Sequence, residues 1–212
     1  MIRFIIKKVR KIKISIINLV LQRVFKNNTT LIGSGHRFFP GAAVVLKRGS
    51  LKKDIVLHDN CEVFGGLISV NGGKIVMHEW SKLGAHSSIT AVNRVEIGKD
   101  TAISYCVTII DNNNHPINPD DRRYMRHTPH HSIERSPHMS ANAPIIIGEN
   151  VLIGAYSRIC KGVTIGDNAI IAANSVVTHD VPANAIAAGN PARIVKEHID
   201  QTTTPIFPLN HK

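Results

Sequence analysis

The chain has 212 residues, which is enough for one domain with a buried core. Aromatic residues make up only 5% of it, and the abundance of Ile, Val, Ala and Gly favours narrow β-structure over a helical bundle. The three cysteines, Cys61, Cys106 and Cys160, are widely separated and form no metal-binding spacing. We therefore expect a reducing compartment and no disulfide framework.

The formal net charge is +11, and it is unevenly distributed, because residues 1–30 contain eight basic residues and no acidic one. Nucleic-acid binding is one interpretation of so basic a sequence. However, the chain contains no known nucleic-acid-binding motif and no aromatic residues interleaved with the basic ones. We therefore expect no nucleic-acid partner.

Residues 1–26 are predicted to form a basic amphipathic helix, because Ile5, Val9, Ile12, Ile16 and Leu19 recur at roughly helical spacing. No apolar run approaches the ~20 residues that cross a bilayer. The segment also lacks the features of a secretory signal, so a cytoplasmic location is expected. Two interpretations stay open: the helix lies on the anionic inner face of the cell membrane, or it packs on the chain itself or on a neighbouring subunit.

Residues 27–82 are punctuated by glycines and are predicted to form irregular β-coils. A clearer run with a period of six begins at Leu83, shifts by two residues between Val95 and Ile97, and continues to Ile109. The segment 111–144 then interrupts the period and is rich in Pro, Asn and His. Such an interruption predicts a loop that projects from the coils, and long ordered loops often carry function.

The most regular pattern is a six-residue repeat after this loop. A period of six fits neither an amphipathic helix nor an alternating strand, but it fits a coil of triangular cross-section. Each segment would form one short strand and one corner, and such coils bury their apolar face only by stacking. Inward aliphatic residues are expected at Ile147, Ile153, Ile159, Ile165, Ile171 and Val177, and small corner residues at Val151, Ser157, Val163, Ala169 and Ser175.

These observations divide the chain into three parts. The predicted units are a helix over residues 1–26, a parallel β-helix over 27–191 with the loop 111–144, and a C-terminal segment over 192–212. Residues 192–198 are expected to form a short helix or strand, and the tail after them is expected to be poorly ordered or loosely packed.

The tandem [Ile/Val/Leu]-Gly-x4 units and the segment ending in GNPARIVK resemble the hexapeptide-repeat acyltransferases, especially the maltose, galactoside and polysaccharide O-acetyltransferases. The similarity covers about residues 83–196. It implies an all-β fold, a left-handed parallel β-helix, assembled as a homotrimer. It also implies acetyl-CoA as the co-substrate and no required metal.

The loop sequence HPINPDDR, residues 115–122, matches the family pattern His-Pro-x-Asp-Pro-x-x-Arg, except that Asn118 replaces the Asp. The resemblance assigns His115 the role of general base. An imidazole titrates near neutral pH, so it can accept the proton of an attacking hydroxyl. Asp111, Asn93 and the backbone are candidates for orienting its second nitrogen.

The resemblance also implies a donor site in the groove between adjacent β-helices. Small corner residues leave room for the pantetheine arm, and basic residues meet the nucleotide phosphates. The family often has an aromatic residue where Leu152 stands and a lysine where His179 stands. The matching positions are Leu152, Ala155, Ala172, Ala173, Thr178 and His179 for the arm, and Arg193 and Lys196 for the phosphates.

Acceptor contacts are predicted for Ser87, Arg122 and Arg123, and Ser87 and Ser88 are candidates for stabilising the oxyanion. Further residues of the loop are expected to help frame an acceptor, such as an anionic glycan or a lipid-linked phosphate: His127, His130, His131, His138, Arg126 and Arg135. Because the N-terminal helix is so basic, we expect the acceptor to be a sugar hydroxyl of a cell-surface or lipid-linked saccharide. The alternatives are an antibiotic acetyltransferase and an amino-sugar N-acetyltransferase.

Two alternatives come from other classes of protein. One is a metal enzyme of the γ-carbonic anhydrase type, because His78 and His115 have the first ligand spacing of that type, although Asp120 stands where its third histidine would be. The other is a catalytically silent scaffold.

Overall fold

The computed structural model describes the backbone of residues 2–201 and the side chains of residues 15–201. The predicted apolar side chains Ile5, Val9 and Ile12 and the predicted tail after residue 201 lie outside these ranges. The chain begins with a long helix, α1 (Ile2–Asn28). No helix in the described part is long and apolar enough to cross a membrane.

Short strands make up most of the rest of the described chain. In chain order they are β1 (Thr30–Leu31), β2 (Arg37–Phe38), β3 (Ala43–Lys47), β4 (Ile55–Leu57), β5 (Glu62–Val63), β6 (Gly66–Val70), β7 (Lys74–Met77), β8 (Lys82–Leu83), β9 (Ser88–Ala91), β10 (Arg94–Ile97), β11 (Ala102–Ile103), β12 (Thr108–Ile110), β13 (Ile145–Ile147), β14 (Leu152–Ile153), β15 (Arg158–Ile159), β16 (Thr164–Ile165), β17 (Ile170–Ile171), β18 (Val176–Val177), β19 (Ile186–Gly189) and β20 (Ala192–Lys196). A second helix, α2 (Pro119–His127), lies between β12 and β13, and four 3-10 turns span Lys52–Asp54, Ile133–Arg135, Pro137–Met139 and Ile199–Gln201.

The strands form three sheets, and successive strands of the chain pass from one sheet to the next. Sheet A has the order β1-β4-β7-β10-β13-β16, sheet B runs β2-β5-β8-β11-β14-β17-β19-β20, and sheet C runs β3-β6-β9-β12-β15-β18. Three strands, one from each sheet, make one triangular coil. The coils stack in parallel register, so Ile97 pairs with Ile147, which pairs with Ile165. The predicted parallel β-helix with an N-terminal helix and a projecting loop is confirmed.

The six-residue period arises because each short strand buries one aliphatic side chain. The predicted inward residues between Ile147 and Val177 are all at most 1% exposed, and the small corner residues at most 2%. Burial of each Ile or Val side chain contributes roughly 1.5–3 kcal/mol. Each strand also donates its backbone hydrogen bonds to the neighbouring coils, as from Gly148 N–H to the Ile165 carbonyl at 2.8 Å.

In the corner that follows sheet A, one residue of each coil has a left-handed backbone conformation. Asn150, Asn168 and Asn184 have φ of 52°, 59° and 56°, a region that asparagine tolerates better than most residues. Their side chains also bond from coil to coil, Asn150 to Asn168 and Asn168 to Asn184, each at 2.9 Å. The asparagines at these positions therefore serve both the turn and the stacking.

The two-residue shift between Val95 and Ile97 comes from a longer corner between sheets C and A. In the early coils Leu57 pairs with Met77 and Met77 with Ile97, a step of twenty residues, whereas Ile147 pairs with Ile165, a step of eighteen. Residues 92 and 93, between β9 and β10, are the extra pair in one such corner. The loop 111–144 leaves the β-helix at this same corner, one coil further on.

Helix α1 covers one end of the β-helix with its last turns. Phe25 is fully buried and stacks on Phe38 with ring centroids 3.9 Å apart. By contrast, Ile16, Leu19 and Val20 are 59%, 76% and 55% exposed. The helix thus packs on the chain through one side and leaves an apolar side uncovered.

The other end of the β-helix closes with a hairpin. Strand β20 pairs antiparallel with β19, so residues 192–196 form a strand rather than a helix.

Candidate active site

The two ends of the loop 111–144 are held together at the corner of the β-helix. Asp111 is buried, and its carboxylate accepts the backbone N–H groups of Val92 at 3.0 Å and Asn93 at 2.7 Å. Where the loop returns, just before β13, the Ala143 N–H donates to the Asp111 carbonyl at 3.0 Å. The loop therefore begins and ends at a fixed place on the β-helix.

Asp111 and Asn93 belong to this clamp rather than to the surroundings of His115. Burial raises the pKa of Asp111, and hydrogen bonds from the Asn112 side chain and from backbone amides offset only part of that rise. The Asn93 amide donates to Asn142 Oδ1 at 3.1 Å. Among the described side chains, no hydrogen bond joins Asp111 or Asn93 to His115, so a role for either in orienting His115 stays a prediction.

His115 lies exposed just beyond the clamp. Its Nε2 is 3.2 Å from the Asn114 side-chain nitrogen. The Arg122 guanidinium donates to the carbonyls of Pro116 and Ile117, which directly follow the histidine. Arg122, predicted as an acceptor contact, therefore also fixes the backbone that carries the predicted base.

Asn118 begins helix α2 as its N-cap. Its Oδ1 accepts the N–H groups of Asp120 at 2.7 Å and Asp121 at 3.3 Å, and Pro119 occupies the first helical position. Asp and Asn are comparably good N-caps. An Asp at position 118, as in the family pattern, could therefore make the same cap.

Helix α2 and the turn after it enclose a pocket of about 260 Å³ beside His115, lined by Arg122, Met125, Arg126 and Arg135. Residues three and four positions apart on a helix share a face, which places Met125 and Arg126 beside Arg122. Arg135 is anchored by donating to the Thr128 carbonyl at 3.0 Å and the Arg126 carbonyl at 2.6 Å. Arg126 and Arg135, which the sequence suggested as residues that frame an acceptor, thus lie beside His115, whereas the sequence analysis missed Met125, because only the helix brings it there.

Two predicted acceptor contacts lie elsewhere. Arg123 forms a solvent-exposed ion pair with Asp120 at 2.8 Å and does not line the pocket. Ser87 is only 2% exposed; its hydroxyl donates to the Ser104 carbonyl at 2.7 Å and accepts the Val107 N–H at 2.9 Å. Both hydrogen-bonding capacities of Ser87 are thus used inside a corner, which gives this residue a structural role.

The predicted donor residues fall into two groups. Leu152 is 47% exposed on sheet B, and Ala155, Ala172 and Ala173 belong to this strand layer and the corner that follows it. The second group is at the closing hairpin, where His179 and Arg193 line a second pocket of about 270 Å³. Thr178 is beside it, with Oγ1 2.9 Å from His179 Nδ1, and Lys196 is exposed on β20. Their contacts with the donor stay predictions.

One cluster on the early coils could hold a divalent cation. His58, His78 and Glu79 each offer one ligand atom, and these atoms lie within 4.8 Å of one another. Glu96 accepts a hydrogen bond from His78 at 2.8 Å; burial opposes ionisation of Glu96, but His78 and Arg94 outweigh it and lower its pKa. His115 is not a member of this cluster, so the described side chains do not bring His78 and His115 together around a metal.

The chain also matches known proteins. Residues 144–179 match the family model described as bacterial transferase hexapeptide, six repeats. The predicted resemblance to hexapeptide-repeat acyltransferases is confirmed.

The most informative curated relative is the galactoside O-acetyltransferase of Escherichia coli K12, 37% identical over 116 residues, which cover 51% of this chain and 57% of the relative. The chain thus spans a little over half the length of that protein.

Solved structures extend the likeness over most of the chain at the level of the fold. The N-acyltransferase AntD from Bacillus cereus, in complex with dTDP and 3-hydroxybutyryl-CoA, has a TM-score of 0.63 at 18% identity and covers 84% of this chain and 87% of its own. The polySia-specific acetyltransferase NeuO has a TM-score of 0.56 at 23% identity and covers 80% of each chain. These likenesses confirm the predicted left-handed β-helix.

The N-cap assignment predicts opposite outcomes for two substitutions. Asn118→Ala removes the acceptor of two amides and should weaken the first turn of α2 by about 1 kcal/mol, whereas Asn118→Asp keeps it. In amide hydrogen exchange, Asp120 and Asp121 should exchange about five-fold faster in the Ala variant. The Ile146 amide is the internal control, and equal exchange in both variants would refute the cap.

Proposed function

We propose that this protein is an acetyl-CoA-dependent O-acetyltransferase that acts on a sugar hydroxyl of a cell-surface or lipid-linked saccharide. The observation that carries the proposal is the placement of His115 on a clamped, folded loop, where it lines a cationic pocket at the edge of a hexapeptide β-helix. The 37% identity with a galactoside O-acetyltransferase supports the same type of reaction.

His115 is proposed as the general base. A neutral imidazole has one nitrogen that accepts a proton, and an exposed histidine can reach a bound hydroxyl. The acceptor oxygen loses its proton to His115 and attacks the thioester carbonyl, forming a tetrahedral oxyanion. The carbon–sulfur bond then breaks, the acetyl ester is released, and the CoA sulfur takes the proton back from the imidazolium. No acyl-enzyme forms in this scheme.

The donor is proposed to lie along the residues near Leu152 and the closing hairpin, with Arg193 and Lys196 facing its phosphates. In a homotrimer, the groove between two β-helices would place this surface against the His115 loop of a neighbouring chain. Support for the donor comes from the fold, because the AntD structure of the same architecture holds an acyl-CoA. Both residues are exposed on β20, as phosphate contacts require.

Helix α1 is proposed to rest on an anionic membrane surface, which would bring the enzyme to a lipid-linked acceptor. Its uncovered side presents Ile16, Leu19 and Val20, and residues 1–30 carry eight basic residues without an acid. Apolar burial combined with attraction to anionic lipid is how interfacial helices bind. The buried Phe25 anchors this helix to the β-helix.

The role of His115 predicts a large and specific loss of activity. His115→Ala should lower kcat/KM for acetyl transfer to a saccharide by about 10²- to 10⁴-fold, with unchanged acetyl-CoA affinity and unchanged mass in sedimentation. His130→Ala, an exposed histidine of the same loop outside the pocket, is the control. Full activity of the His115→Ala enzyme would contradict the mechanism. If the acetylated product is an amino sugar whose acetyl group resists alkali, the N-acetyltransferase alternative is favoured.

The donor proposal predicts saturable binding of acetyl-CoA in calorimetry. Reversing charge with Arg193→Glu and Lys196→Glu should weaken that binding about ten-fold or more, because hydrogen bonds to charged groups contribute roughly 1.5–3 kcal/mol each. Dephospho-CoA should show a smaller effect of the substitutions. If no binding is detected up to millimolar acetyl-CoA, the acyltransferase proposal is contradicted.

The membrane proposal predicts a difference between two variants of equal charge. Leu19→Glu places a carboxylate on the uncovered apolar side of α1, while Asn27→Glu adds one at an exposed polar position near its end. Cosedimentation with phosphatidylglycerol vesicles should be lost in Leu19→Glu and kept in Asn27→Glu. Equal binding of both variants would contradict the proposal, as would equal binding to neutral vesicles.

A further inference from the structure

The pocket beside His115 holds three guanidinium groups and no neutralising carboxylate. Among the described side chains, the arginines with a carboxylate within 4.0 Å are Arg37, Arg94 and Arg123. Arg122, Arg126 and Arg135, which line the pocket, are not among them. The electrostatic potential in the pocket is therefore positive, and the pocket would attract an anion.

Helix α2 distributes its charges unequally between its faces. On one side, Arg123 is paired with Asp120. On the side that faces the pocket, Arg122 and Arg126 are four residues apart, a spacing at which like charges destabilise a helix. The helix thus supplies a carboxylate for the arginine outside the pocket and none for the two inside it. A ligand that brings negative charge would relieve this repulsion.

The three arginines differ in what their guanidinium groups already contact. Arg122 donates to the carbonyls of Pro116 and Ile117, and Arg135 to those of Thr128 and Arg126. These bonds hold the two side chains in place but leave their charges uncompensated. The Arg126 guanidinium has no hydrogen-bond or ion-pair partner within the described residues, so its donors are free for a ligand.

We infer that this pocket recognises an anionic group, a carboxylate or a phosphate, on the sugar that is acetylated. Arg126 would contact that group directly, while Arg122 and Arg135 would add positive charge and help to form the walls of the pocket. A guanidinium presents planar paired donors that match both anions. The inference rests on the proposed function for the reaction, but the binding event it describes can be measured without catalysis.

The first test compares binding of three sugars to the full chain, without acetyl-CoA. Galacturonate and galactose 1-phosphate carry an anion, and galactose is their neutral counterpart. We expect at least one anionic sugar to bind about ten-fold or more tightly than galactose in NMR titrations at low salt, and to lose that advantage in Arg126→Gln. The inference is overturned if neither anionic sugar binds better than galactose, or if Arg126→Gln leaves their binding unchanged.

The control variant is Arg37→Gln, which removes one positive charge from strand β2 on the first coil, where Arg37 pairs with Glu62. It should leave the preference for the anionic sugar intact; an equal loss in both variants would mean that total charge, not the pocket, is responsible. A second control is CoA itself. If Arg126→Gln weakens CoA and leaves the anionic sugars unaffected, the pocket serves a donor phosphate and the inference fails.

The activity assay separates this inference from the proposed function. With acetyl-CoA present, Arg126→Gln should raise KM for the anionic acceptor about ten-fold more than KM for galactose, with a smaller change in kcat. If no sugar is acetylated but binding of an anionic sugar still depends on Arg126, the recognition stands and the acetyltransferase proposal falls. If galactose and the anionic sugars are acetylated with equal kcat/KM in both proteins, the acetyltransferase stands and the inference falls.

Discussion

The whole structure depends on the stacking of inward aliphatic side chains in register. A single coil exposes its apolar face and its backbone hydrogen-bonding groups, so it has no stability alone. When Ile97, Ile147 and Ile165 align in successive coils, the apolar surface leaves water and the backbone groups of each strand find partners above and below. Helix α1, the loop 111–144 and the closing hairpin are all attached to this stack of coils, which positions them.

The corner between sheets C and A is where the chain departs from the simple repeat. Two extra residues in the early coils lengthen it, and one coil later it accommodates the insertion 111–144. Asp111 caps the backbone amides of Val92 and Asn93 in the coil below, while Ala143 returns the chain to the β-helix. A buried carboxylate with several N–H donors makes a stiff junction, so a long polar loop can hold a histidine at a constant place.

The loop itself is organised by polar contacts instead of a core. Asn118 caps α2, Arg122 ties down the segment after His115, and Arg135 bonds the turn that follows the helix. Arginine is suited to this because its several donors bind carbonyls while its charge stays available. The same side chains can therefore build the pocket and set its electrostatic character.

The sequence by itself determined the β-helix, because a period of six can be satisfied only by short strands and corners that repeat in space. It also singled out His115, since the motif HPINPDDR that marks this histidine consists of neighbours in the chain. Only the tertiary structure decided that Asp111 and Asn93 belong to a clamp, that Ser87 is enclosed, and that Arg126 and Arg135 face His115. Those contacts join residues from different coils, or from the two arms of a folded loop, and no local pattern records which side chains such folding brings together.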